Sequence, residues 1–461
     1  MRGLKTICYN VGMNEPTFFF YDLETSGLNA REDRIMQFAG QRTDLNLNKI
    51  GNPVNILVKM TDDTLPSPQA IMVTKITPQS TLADGLTEAE FCQYLTDEIF
   101  TENTCVVGYN SVRFDDEFMR HLFWRNFRDP YEWQWADGRS RWDLLDVVRL
   151  TRALRPEGIN WPVVDGKATN RLELLTKENG ISHEHAHDAL SDVEALVSVT
   201  KLIKEKQPQL YDYLYKIRGK KAVQQLINLE NPKPFVYACG RYPAEYEKTS
   251  VAYPLAPGRN GNILVYDLRY DLDELDPEKS YPVVKELCYN KCPAVAPLGV
   301  LENADGWKKI SLTKEQVEQN LAKLLSRPDF AEKMRSSYED RPEFPPAPDP
   351  ESALYDSFTP DADKVKIAAV RNADANKLAD FHPDFTDERL PELLLHYKAK
   401  NYPSALDEAE TKKWEEYRIA RLNRQAPAFA TAMAELQAKS ADEFILEELN
   451  LWYQSLQTGD Y

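Results

Sequence analysis

Cysteine is scarce and unpaired in this sequence: six residues among 461 (Cys8, Cys92, Cys105, Cys239, Cys288 and Cys292), with no Cys-x-x-Cys spacing. That pattern suits reduced thiols and argues against a disulfide framework or a thiolate zinc site; Cys288 and Cys292, the one close pair, read as structural. Long apolar runs are missing too. None approaches the ~20 residues that a bilayer-spanning helix needs, and Met1-Arg2-Gly3-Leu4-Lys5 opens without a signal-peptide core, so the expectation is a cytoplasmic protein with no membrane association. No internal repeat or low-complexity tract stands out. Positive charge is in deficit, with 56 Lys+Arg against 73 Asp+Glu and a net charge of −17, which argues at first sight against a polyanionic partner. Net charge is a sum over the whole chain, however, and a nucleic-acid channel needs only a local basic lining.

Apolar residues make up 42% of the chain, enough for folded structure throughout, and the length favours two or three domains. Residues 1–206 read as mixed α/β. Strands are expected at Phe18–Leu23, Ile35–Thr43, Ile56–Lys59 and Cys105–Tyr109, and helices at Glu88–Phe100, Asp116–Asn126, Arg171–Asn179 and Asp188–Lys204, which together predict a sheet flanked by helices. Residues 207–354 read as a small β-rich domain, with strands at Lys233–Ala238, Ser250–Leu255 and Asn262–Leu268 and a tight turn at Asn260-Gly261. The proline-dense run Arg341–Pro350 reads as a linker, because proline lacks the amide donor and fixes its own φ. Residues 355–461 then predict a helical domain, with helices at Asp387–Lys400, Ala405–Asn423, Ala428–Lys439 and Ala441–Gln457; Pro427 marks the start of the third.

Phe18-Phe19-Phe20-Tyr21-Asp22-Leu23-Glu24-Thr25 carries the first chemical signal. Side chains alternate along a strand, so Asp22 and Glu24 project side by side, and like charges that close are tolerated where a divalent cation neutralises them. Alone, the triplet is better read as a strand leaving the core with solvated acids. Gly108-Tyr109-Asn110-Ser111-Val112-Arg113-Phe114-Asp115-Asp116 places Asp115 at a strand-to-helix junction, where α/β active sites gather, although Asp115 or Asp116 could merely cap the helix. In His185-Ala186-His187-Asp188-Ala189-Leu190-Ser191-Asp192, Asp192 shares a stripe with Ala195, Leu196 and Val199, a face made for burial where a lone carboxylate is costly. Asp188 reads as an N-cap, Glu194 as solvated, His187 as near enough to serve the same site, and His183 and His185 as surface residues. Four carboxylates and a histidine are what two-metal phosphoryl hydrolysis requires: cations bridging the scissile phosphate, one activating water and one stabilising the departing 3'-oxygen, with a base to take the proton. From Arg113 to Arg155, moreover, every Lys/Arg position is arginine, interleaved with Tyr131, Trp133, Trp135 and Trp142. That mixture suits phosphate binding and base stacking, and equally a salt-bridged surface.

The ordered set Asp22, Glu24, Asp115, His187, Asp192 resembles the Asp-Glu-Asp-Asp exonuclease superfamily, histidine subclass, which is ribonuclease H-like in fold. The surrounding text, Val112-Arg113-Phe114-Asp115-Asp116-Glu117, Ser140-Arg141-Trp142-Asp143-Leu144-Leu145-Asp146-Val147, Leu154-Arg155-Pro156-Glu157-Gly158-Ile159-Asn160-Trp161-Pro162 and Ala186-His187-Asp188-Ala189, is similar along the whole chain to the bacterial exodeoxyribonuclease I family. The resemblance implies an exonuclease domain, an SH3-like domain and a helical domain that enclose a strand, and processive release of 5'-mononucleotides from the 3' end of single-stranded DNA, in repair and recombination, by a monomer using two Mg2+ ions for which Mn2+ can substitute. It further implies Asp22, Glu24, Asp115 and Asp192 as metal ligands, with Glu24 also touching substrate, His187 as general base, and Arg171, Arg120, Tyr131, Trp135 and Arg149 along the DNA path. Arg155 and Tyr213 are implied as the clamp and pocket for the acidic tail of single-stranded DNA-binding protein. One departure is visible: the superfamily often shows Asn-x-x-Phe-Asp, whereas Ser111 stands in the asparagine place and Asn110 is one residue earlier.

Overall fold

A computed structural model describes residues 15–183, 188–275, 283–340 and 345–459. Strands β1 (Thr17–Thr25), β2 (Ile35–Thr43), β3 (Lys49–Leu57), β4 (Thr104–Gly108) and β5 (Ser140–Asp143) form one mixed sheet in the order β3-β2-β1-β4-β5. β1 runs antiparallel to β2 and parallel to β4, and β4 parallel to β5. The aromatic run lies on the central strand and is buried on both faces, as a strand covered by helices on either side should be. Phe18 and Phe20 pack with Trp142, Val193 and Leu196, whereas Phe19 and Tyr21 pack with Phe38, Phe91 and Phe118. Asp22 and Glu24 have the parity of Phe18 and Phe20, so they emerge on the face covered by the helix Ala189–Lys206, which contacts β1 and β2.

Strands β6 (Phe235–Ala238), β7 (Thr249–Pro257), β8 (Ile263–Asp267), β9 (Val284–Leu287) and β10 (Ala294–Pro297) form a second, antiparallel sheet in the order β9-β8-β7-β6-β10. The turn joining β7 to β8 uses Asn260 and Gly261 at φ 54° and 72°, the left-handed conformation these two residues tolerate best. This part of the chain is less purely β than expected. Helices Pro208–Ile217 and Lys220–Leu226 precede the sheet, and Lys314–Leu325 and Pro328–Glu339 follow it, Phe330 meeting Tyr266 edge-on at 5.8 Å.

The helical C-terminal part contains Leu390–Asn401, Glu408–Ala438 and Glu443–Thr458. Here one expectation fails. Pro427 does not begin a helix; it sits inside a single 31-residue helix that replaces the two expected ones. An interior proline forfeits one ladder hydrogen bond, yet Leu422, Phe429 and Met433 on either side of it share one core with Leu449 and Trp452 of the last helix and with Met36 and Ile71 of the first sheet's surroundings. Gln425 adds a side-chain acceptor for the Leu65 N–H at 2.8 Å. Packing along the whole length outweighs the local break.

The proline-dense run is without helix or strand where it is described, in keeping with a linker, but its end is not a free spacer. Glu351 is fully buried and accepts from Arg34 at 2.7 Å, from His396 Nδ1 at 3.2 Å and from Lys400. Asp63 completes the hub with Lys400 at 3.9 Å, Arg34 at 3.2 Å and Arg421 at 3.4 Å, whose charges hold its carboxyl well below the usual range despite burial. This network ties the loop around Asp63 to two C-terminal helices through a residue of the connecting segment.

Candidate active site

Three elements bring the acids together. β1 supplies Asp22 and Glu24, and the helix Ala189–Lys206 supplies Asp192 one turn after its N-cap, Asp188, which accepts from the Ser191 N–H at 3.0 Å. One carboxylate oxygen from each of Asp22, Glu24 and Asp192 lies within 4.8 Å of the others. Asp115 opens the helix Asp115–Arg125, and its carboxylate faces the backbone N–H of Leu23. Neither Asp115 nor Asp116 caps that helix: Phe114 is the N-cap, Asp115 is buried, and Asp116 is spent on Tyr21 Oη at 2.8 Å and on Arg141. Burial and mutual repulsion act together on the cluster. Burial first, then Asp192 and Asp115, push Glu24 up to about 8; burial and Asp116 push Asp115 up to about 8; burial and then the other three acids hold Asp22 well above the carboxylate range. Among the described residues no basic side chain lies within ion-pair distance of Asp22, Glu24 or Asp115. Hard oxygen donors converging without a counter-charge fit one or two divalent cations, and Asp22, Glu24, Asp115 and Asp192 are the residues that could hold them.

A cavity of about 530 Å³ opens beside the cluster, lined by Asp22, Asp192, Asn110, Arg149, Arg171 and Lys248 among others. The structure therefore joins two of the expected binding residues, Arg149 and Arg171, to the carboxylates. Each guanidinium is paired, Arg149 with Asp146 at 2.5 Å and Arg171 with Glu173. Asn110 reaches the cavity despite its shifted place in the sequence, in a left-handed conformation at φ 65°. Arg120, Tyr131 and Trp135 lie elsewhere. The Arg120 guanidinium stacks 5.4 Å from the Tyr131 ring and pairs with Glu117 at 2.5 Å. Tyr131 and the 65% exposed Trp135 border a second cavity of about 570 Å³ with Arg139, Arg141, Lys216 and Arg218. Arg141 links the two regions, since it also binds Asp116, next to Asp115. The arginine-rich segment is thus divided in use: Arg125 is a buried partner of Glu88 at 2.7 Å, and Arg152 of Glu247 at 2.7 Å. Arg155 donates to the carbonyls of Leu154 and Val300, and Tyr213, on the helix Pro208–Ile217, has a buried hydroxyl without a partner among the described residues.

His187 and His185 lie outside the described residues. His183 does not, and it is no surface residue. After Gly180, at φ 65°, the chain folds back with the Ile181 N–H on the Thr176 carbonyl, and the His183 ring, 3% exposed, bridges Thr176 Oγ1 at 3.1 Å and Asp192 Oδ1 at 2.5 Å. Sequence reasoning also missed two further contributors. Asp143 accepts from the N–H groups of Asn110 at 3.0 Å, Val112 at 3.1 Å and Leu145 at 2.9 Å, and so fixes the loop that leads to Asp115. Its position between a strand and a helix start was a readable signal. Lys248 enters the cavity from the turn before β7 and had none.

Matches to known proteins span the same regions. The Exonuclease family model matches residues 19–200, the Exonuclease I SH3-like domain residues 218–280 and 273–340, and the Exonuclease I C-terminal domain residues 348–456. Exodeoxyribonuclease I of Haemophilus influenzae is 40% identical over 468 residues, covering 96% of this chain and 98% of that protein. Escherichia coli Exonuclease I in complex with a dA16 oligonucleotide superposes with a TM-score of 0.91 at 36% identity, over 96% of this chain and 100% of that one. The zinc-bound form of the E. coli enzyme–single-stranded DNA complex gives the same score, identity and coverage. With a mixed sheet carrying the acids, a second antiparallel sheet and a helical end in that order, the chain belongs to the exodeoxyribonuclease I family and is an exonuclease.

Proposed function

We propose that the protein is a processive 3'-to-5' exonuclease that degrades single-stranded DNA to 5'-mononucleotides by two-metal hydrolysis, acting as a cytoplasmic monomer in DNA repair and recombination. The observation that carries this reading is the convergence of Asp22, Glu24 and Asp192 within 4.8 Å, with Asp115 adjoining, beside a cavity that Asp22 and Asp192 line together with Arg149 and Arg171. E. coli Exonuclease I bound to a dA16 oligonucleotide supports the substrate class. The four carboxylates would hold two Mg2+ ions, or Mn2+ in their place; bound cations supply Lewis-acid polarisation of the phosphodiester and neutralise the departing 3'-oxygen. Glu24 also borders the substrate in this reading, and Arg149 and Arg171 exchange part of their acidic pairing for phosphate oxygens. His187 takes the proton of the attacking water. Trp135 and Tyr131 stack on bases further along the strand, with Arg120 bracing Tyr131 from behind. The three portions 1–206, 207–354 and 355–461 enclose the strand, so that it advances without release. Arg155 and Tyr213 receive the acidic, Phe-ended tail of single-stranded DNA-binding protein.

The test is a polarity and sugar assay. With Mg2+ and 5'-labelled oligomers, DNA should give a descending ladder or short end products, and RNA of the same sequence should resist. Release starting at the 5' end, or equal trimming of RNA, refutes the assignment. Excess unlabelled strand added after initiation should leave ongoing degradation running; immediate arrest refutes enclosure.

A further inference from the structure

We propose that Lys248, delivered from the second sheet, is a phosphate-binding residue of the exonuclease active site that holds the substrate backbone beside the carboxylates. The proposal rests on the reading of the cavity as the site of phosphodiester hydrolysis. Lys248 lines the same cavity as Asp22, Asp192, Arg149 and Arg171, although it lies more than fifty residues beyond Asp192, in the turn that leads into β7 of the second sheet. Its backbone is held there at a cost. Glu247 and Lys248 are consecutive non-glycine residues at φ 51° and 55°, a conformation that disfavours each by about 1 kcal/mol. The surroundings enforce it: the Lys248 N–H donates to Pro243 O at 3.1 Å, its carbonyl accepts from Cys239 at 2.9 Å, and Glu247 pairs with Arg152 on the helix Leu144–Leu154 of the first sheet's domain at 2.7 Å. The turn is therefore pinned across the boundary between the two sheets.

The electrostatics at the tip are incomplete. Arg149 and Arg171 have acidic partners, whereas among the described residues the Lys248 ammonium meets only the carbonyl of Gly240, at 3.4 Å. Gly240 is itself pressed on Arg149: a Cβ there would stand 3.0 Å from a guanidinium nitrogen. Two cations thus flank one glycine, and burial with the charge of Arg149 lowers the proton affinity of Lys248. An anion between them relieves the repulsion and gives Lys248 the acidic partner that Arg149 already has, and a phosphodiester oxygen is the anion this reaction provides.

Lys248→Met keeps the aliphatic stem and removes the charge; Lys248→Arg keeps the charge. On single-stranded oligo-dT with Mg2+, Lys248→Met should raise KM about tenfold with a smaller change in kcat, and the slope of log(kcat/KM) against log[salt] should become shallower by about 0.7, the value of one single-strand phosphate contact. Lys248→Arg should restore both. Binding of fluorescent oligo-dT in EDTA should show the same loss of salt dependence without turnover. If Lys248→Met keeps the wild-type KM and slope, or if it only lowers the melting temperature and kcat with the slope unmoved, the proposal is overturned. A wild type that binds the strand but does not cut it would refute the assigned reaction and leave the Lys248 contact to be read from binding alone.

Discussion

Replacing Glu24 with glutamine should make the metal-free protein more stable, not less, and increasingly so as pH rises above about 4.3. Glu24 is 9% exposed and its carboxyl is pushed up to about 8 by burial and by Asp192 and Asp115. In the unfolded chain the same group titrates near 4.3. Between those values the folded state binds more protons than the unfolded one, so stability is whole below about pH 4.3 and falls until about pH 8. At pH 7 the folded side chain retains a proton that the unfolded one has lost, a difference of about 2.7 pH units and roughly 3–4 kcal/mol, an upper bound because the cluster can relax apart. Glu24→Gln removes the titration at nearly constant volume. For a unit of 150–250 residues, 3 kcal/mol corresponds to a rise of roughly 6–12 °C in Tm. Thermal unfolding in EDTA at pH 4 and pH 8 reads it: wild type and variant should nearly coincide at pH 4 and separate at pH 8, the variant melting higher. Mg2+ should reverse the order at pH 8, because the wild type gains binding energy that the variant largely lacks. A variant that melts lower than wild type in EDTA at pH 8 would show that the acids are not under mutual strain and that the metal-site argument has the wrong physical basis.

Three other substitutions probe separate parts of the argument. Asp192→Asn should reduce turnover by at least about 10³-fold while leaving binding of single-stranded DNA within a fewfold, measured by nucleotide release and by anisotropy. Trp135→Ala should leave the melting temperature unchanged, since the ring is 65% exposed, and weaken strand binding by 1–3 kcal/mol, about 5- to 150-fold in Kd. Glu351→Ala should destabilise the protein by about 3–5 kcal/mol, because Arg34, Lys400 and His396 are left around a missing charge in a buried hub; urea unfolding gives the loss, and limited proteolysis should now cut on either side of residue 351.

The carboxylates were legible because each announces itself within a few residues. Asp22 and Glu24 follow an apolar strand, Asp115 follows a strand end, and Asp192 interrupts an otherwise apolar helical stripe. Local periodicity places side chains on faces, and four acids on inward faces leave few ways to satisfy them. Lys248 and His183 illustrate the opposite case. Each owes its position to a backbone reversal, at Glu247-Lys248 and at Gly180, and to a partner on another element, Arg152 and Asp192. A lysine in a turn and a histidine after a glycine look like solvent-facing residues until the second element is in place.

Pro427 and Glu351 carry the same lesson into the fold. Local rules put a helix start at Pro427, and they are sound locally: the ring removes one ladder bond and disfavours the preceding turn. What they omit is that the helix Glu408–Ala438 lies against two partners at once, so that ending it at Asn423 would strip Phe429 and Met433 from a core shared with the first sheet's domain. Burying two large apolar side chains is worth about 3–6 kcal/mol, as much as the proline costs or more, and the sum favours continuity. Likewise a glutamate just after a proline run reads as solvated linker, yet the three cationic or ionisable partners of Glu351 arrive from Arg34 and from a helix almost fifty residues on. The net charge of −17 misleads for that reason as well. Many acids of this chain are consumed in internal pairs such as Arg125–Glu88 and Arg141–Asp116, and the local remainder around Arg149, Lys248 and Trp135 is the surface that the proposed function sets against a strand.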